Sequence, residues 1–146
     1  MGHLRKFLHL GAARRRLLVE AVLLSAAIAL ALRLLRFQAL RHIAGRLTRG
    51  PARPTGANQA YIDSVVWAVS VSGRHVPGAG GCLVQALAGM VLLGRGGCPA
   101  LMHIGVDKDA QGRFQAHAWV ECRGAVVLGG TENPSHFAPL AALDMP

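Results

Sequence analysis

At 146 residues, 52% apolar and 16% charged, the chain has material for one sizeable core and too little charge for intrinsic disorder. Its formal net charge of +9 belongs to the first third: residues 1–53 hold eleven Arg or Lys against Glu20 alone, whereas residues 54–146 hold five against six acids. Three cysteines, an odd number with no CxxC pair, argue against a disulfide framework and for reduced thiols in a cytoplasmic setting.

The first predicted element is helical. Apolar residues recur at Leu17, Leu18, Val22, Leu24, Ile28, Leu32, Leu35, Leu40, Ile43 and Leu47, the spacing of one long helix or two consecutive ones over about 12–48. Its uninterrupted apolar run, Ala21 to Leu32, is twelve residues, against roughly 20 for a bilayer span. Glu20, Arg33 and Arg36 break any longer window, and no cleavage signature of a signal peptide follows. A core or partner-docking helix is therefore expected ahead of a membrane-associated one. The basic segment has no aromatic interleaving beyond Phe37, which argues against nucleic acid.

"TRGPARPTGANQ" (48–59), with two prolines and two glycines, reads as a linker. It divides a basic N-terminal helical region (1–53) from a second region (54–146). There, Ile62, Val65, Val66 and Val69 predict a helix over 60–73, stopped by Gly73. "CLVQALAGMVLLGRGG" predicts a second helix opening at Cys82 and stopped near Gly94.

After Gly97 the period becomes two. Residues 100–107, 114–122 and 125–130 predict three strands joined by the turns "DKDAQG" and "RG", an antiparallel meander. In the second, Gln115, His117, Trp119 and Glu121 share one face and Phe114, Ala116, Ala118 and Val120 the other. The tail "FAPLAALDMP" reads as a short packed end. The fold class is α+β.

Chemistry concentrates at Cys82. A phosphate loop is excluded there: Leu83 stands where GxGxxG needs glycine, and GxxxxGK[ST] is absent. A thiol at the start of a helix suits a nucleophile, since the positive end of the helix dipole favours thiolate. Gly80 and Gly81 before it admit a substrate backbone. His117 is the candidate base, brought near by folding, and Trp119 the candidate wall of a substrate cleft. Cys98 and Cys122 lack the close spacing of zinc ligands and read as core or edge thiols, so no metal site is expected. His103 reads as structural, Trp67 as helix packing, and Arg74 and His75 as residues near a substrate path.

The stretch from Cys82 to Gly130, with "PALMHIGV" and "AHAWVE" in order, resembles the core of lasso-peptide leader peptidases, the peptidase half of the split lasso maturation protein B. The N-terminal "RRRLLVEAVLLSAAIALALRLLRF" is similar to that family's leading helix. The resemblance implies a papain/transglutaminase-like core, a catalytic helix on an antiparallel sheet preceded by a helical region. It implies a cysteine protease that removes the leader from a ribosomally made precursor peptide. The implied partners are a small leader-recognition protein and a macrolactam synthetase; ATP enters through the synthetase, and this chain holds no cofactor. The implied nucleophile and base are Cys82 and His117.

Where the family carries its acid this sequence has Gly129. Glu121 lies four extended residues from His117, roughly 13 Å along the strand. Glu132 is the expected replacement, with Asn133, Asp144 or a backbone carbonyl as alternatives. Two competing functions stay open: an amidase or acyltransferase with the same dyad, and a non-catalytic basic binding module.

Overall fold

The computed structural model describes residues 11–36, 39, 42–43, 45–46, 58–108, 110–129 and 138–143. Three helices precede a sheet: α1 (Ala12–Leu34), α2 (Gln59–His75) and α3 (Cys82–Arg95), then β1 (Ala100–Lys108), β2 (Phe114–Cys122), β3 (Ala125–Leu128) and β4 (Ala138–Leu143). The four strands pair antiparallel in the order β3-β2-β1-β4. This is the α+β arrangement that the change of period at Gly97 predicts.

Helix α3 is the centre of the molecule. Val84 and every residue from Ala86 to Leu93 is buried, so it is apolar around its whole circumference rather than along one stripe. The helices α1 and α2 and the strands β1 and β2 surround it, all contributing to one core. From α1 come Leu17, Ala21 and Ile28; from α2, Ile62, Val65, Ala68 and Val69; from the sheet, Met102, Ala118, Val120 and Leu128. Two polar details lock the helices together. The Tyr61 hydroxyl donates to the Leu92 carbonyl at 2.7 Å, a bond worth about 1 kcal/mol. The Arg14 guanidinium lies 4.5 Å from the Trp67 ring centre, so Trp67 is a packing residue between α1 and α2.

α1 is long and apolar enough to cross a membrane by length and composition. One side of it, Leu17, Ala21, Ser25 and Ile28, is nevertheless buried in the core. Beyond it, residues 39, 42, 43, 45 and 46 are again helical, matching the reading of two consecutive helices. The linker between the two regions lies mostly outside the described residues.

Four expectations are corrected. Gly73 does not stop α2, which continues to His75. Its missing side chain makes room for Gln85 instead, whose Nε2 would stand 2.8 Å from an added Cβ. The third strand ends at Leu128, shorter than the period suggested. The tail is a strand: β4 pairs with β1 from Met102↔Leu143 to Val106↔Ala138. Finally, Cys98 and Cys122 are not separate thiols but a disulfide, with Cα atoms 7.0 Å apart. Twenty-four residues separate them in sequence, and only the return of β2 alongside the end of α3 brings them together. The hairpin between β2 and β3 turns on Arg123 and Gly124, both at positive φ, as a two-residue turn between twisted strands requires.

Candidate active site

The glycine-rich approach ends at Gly81, the N-cap of α3, which carries no side-chain cap. The first-turn N–H groups of the helix therefore face outward without a capping oxygen from residue 81. An added Cβ at Gly81 would meet nothing within 4 Å, so the mouth of the helix is open. Gly80 is held from below: Gln85 Nε2 donates to its carbonyl at 3.1 Å, and Gly73 O would lie 3.2 Å from a Cβ at Gly80. Cys82 is the first residue of α3, half-buried, and the free thiol among the described cysteines.

Two anchors tie α3 to β2. The disulfide joins Cys98, just after α3, to Cys122, the last residue of β2. Halfway along, an added Cβ at Gly89 would run into Leu128, and Leu128 pairs with Val120. From Gly89 back to Cys82 is about 10 Å of helix, and from Val120 back to His117 about 10 Å of strand.

His117 leaves β2 on the face it shares with Trp119, their ring centres 6.3 Å apart and nearly parallel. Ala118, Val120 and Cys122 occupy the alternate positions and are buried toward the helical layer. β3 covers β2 only from Val120 to Cys122, so the stretch containing His117 has no ladder partner on that side among the described residues. Along this open edge the chain turns at Gly129 and lays its carbonyl on the histidine. His117 Nε2 and Gly129 O form a hydrogen bond. A carbonyl oxygen only accepts, so Nε2 is the donor in this bond. Gly129 has a φ of 69°, and an added Cβ would overlap the Ala118 carbonyl oxygen and come within 3.0 Å of Trp119 Cα. No side chain fits where the lasso-peptidase resemblance puts an acid. A main-chain oxygen occupies the histidine instead.

Trp119 also stacks on His103, their ring centres 5.4 Å apart, and Glu121 Oε2 lies 3.3 Å from His103 Nε2. Of the residues singled out from sequence, the structure thus assembles His117, Trp119 and position 129. Gly80, Gly81 and Cys82 lie at the N-terminus of α3, on the helical side. Glu132, Asn133 and Asp144 lie outside the described residues. His75 turns back on its own helix, its Nδ1 sharing a 2.8 Å hydrogen bond with the Val71 carbonyl. Sequence reasoning missed Gln85, the carbonyl role of Gly129 and the His103–Glu121 pair. A lone amide in an apolar helix, three residues after the cysteine, was the signal for Gln85. Among the described residues no group of His, Cys, Asp and Glu is arranged to hold a metal ion.

The family model of the transglutaminase-like superfamily matches residues 22–142 of this chain. No curated protein and no solved structure matches it.

Proposed function

The chain belongs to the transglutaminase-like superfamily, a family of papain-like cysteine peptidases and acyltransferases, and from that premise we propose that it is the leader peptidase of a lasso-peptide system. The observation that carries the catalytic part is the Nε2–H of His117 held by the Gly129 carbonyl. A ring fixed in that tautomer presents Nδ1 as its basic atom.

In the proposed reaction His117 Nδ1 takes the proton of Cys82, and the sulfur attacks the scissile carbonyl at the end of the leader. The oxyanion is met by first-turn N–H groups of α3, which Gly81 leaves uncapped. His117 then protonates the departing amine, the C–N bond breaks, and the leader remains as a thioester on Cys82. Water, deprotonated by His117, hydrolyses the thioester to a free carboxylate and returns the thiol. Gly80 and Gly81 admit the substrate backbone, and Trp119 forms a wall beside the base. Gln85, through the Gly80 carbonyl, is a positioning residue for this loop. In the same proposal a recognition protein delivers the leader, and a macrolactam synthetase consumes the freed amine with ATP. The chain itself binds no cofactor.

The test is mass spectrometry of a precursor peptide incubated with this chain and its recognition protein. Cleavage at a single bond is expected. Cys82→Ala and His117→Ala should each remove it while leaving the circular dichroism spectrum unchanged. Full processing by folded Cys82→Ala would refute the mechanism. Incorporation of an added amine in place of water would identify an acyltransferase.

A further inference from the structure

The side of α1 opposite the core carries large apolar residues in the open. Val19 is 46% exposed, Leu23 65%, Leu30 59% and Leu34 73%. Their spacings of four, seven and four place them on one stripe of the helix, with the exposed Ala26 and Ala27 between. Basic residues border it at both ends: Arg15 and Arg16 at the start, Arg33 at the end, with Arg36 just beyond. The one acid of the helix, Glu20, lies 3.7 Å from Arg16.

We propose that this face of α1 docks the domain on an anionic lipid surface, with the helix lying in the plane of the membrane. Val19, Leu23, Leu30 and Leu34 enter the boundary between headgroups and acyl chains, and the arginines extend along it to the lipid phosphates. A transmembrane span is incompatible with the fold, because Leu17, Ala21 and Ile28 on the other side belong to the protein core. A second copy would set arginine against arginine, since residues 1–53 hold eleven basic residues and a single acid. Negative charge on the partner resolves that repulsion, and acyl chains accommodate the leucines. The inference is independent of the peptidase reading.

Flotation of the full chain with vesicles tests it. The chain should float with vesicles of equal parts phosphatidylglycerol and phosphatidylcholine, and remain at the bottom with phosphatidylcholine alone. High salt should weaken the binding. Changing both Leu23→Glu and Leu30→Glu should abolish flotation, with Leu23→Gln giving an intermediate loss; both sites are exposed and leave the core untouched. Arg16→Gln with Arg33→Gln should weaken binding about thirtyfold, two basic residues at about 1 kcal/mol each. Three results would overturn the proposal. One is no binding to anionic vesicles; another is equal binding to neutral vesicles that survives alkaline extraction. The third is a dimer in solution that Leu23→Glu converts to monomer without any lipid binding.

Discussion

Gly129 offers the sharpest perturbation in this molecule. Replacing it with alanine forces an L-residue to hold a φ of 69°, which costs about 1–2 kcal/mol. The new methyl group would also overlap the carbonyl of Ala118 and crowd the backbone of Trp119. Both neighbours are main-chain atoms of β2, so relief requires moving the turn, and overpacking of this kind costs about 1–3 kcal/mol more. Together the loss is about 2–5 kcal/mol, read as a lowered urea midpoint at constant slope. Moving the turn withdraws the carbonyl from His117, so the folded variant should also cut precursor about a hundredfold more slowly, the scale of a positioned general base. Gly129→Asp should behave at least as badly, although it supplies the acid that the lasso-peptidase resemblance implies there. The reasoning fails if Gly129→Asp is within about 0.5 kcal/mol of the parent and cleaves as fast or faster. That result would mean that a side-chain carboxylate, not a main-chain oxygen, belongs on the histidine.

Two further outcomes bear on the same frame. With a carbonyl already accepting from Nε2, Glu132→Gln should change the cleavage rate by no more than about threefold, roughly 0.6 kcal/mol; a hundredfold loss in single-turnover cleavage would make Glu132 the third member after all. Changing both Cys98→Ser and Cys122→Ser removes a link spanning 24 residues, which the chain-entropy relation values at about 3.5 kcal/mol, so the urea midpoint should fall to that of the parent under reductant. An unchanged midpoint in both experiments would contradict the disulfide.

Much of this arrangement was readable from residue pattern because local and global preferences agree. The glycines before Cys82 and the apolar residues after it mark the start of α3 at the residue where it begins. Strict alternation in "FQAHAWVEC" puts His117 with Trp119 and opposite Ala118. The misses have separate physical causes. "FAPLAAL" contains Pro139, which reads against a strand, yet β4 is an edge strand, where a missing N–H is tolerated. The Cys98–Cys122 bond depends on a contact between elements that no local period encodes. A carbonyl was open as the group orienting the histidine, but a backbone oxygen leaves no mark in residue type, so the sequence could not point to Gly129.

The enclosure of α3 has a consequence for how such a site can work. The helix that begins at Cys82 is wrapped by two other helices and a sheet, and the disulfide fastens its far end to the strand that carries His117. Cys82 and His117 are thus carried on elements tied into one core. Discrimination among peptides then falls to the exposed rim, to Gly80, Gly81 and the open edge of β2, and to whatever presents the peptide there. For the proposed peptidase, a block so built trades adaptability for registration: it would cut what is delivered to it in the right frame.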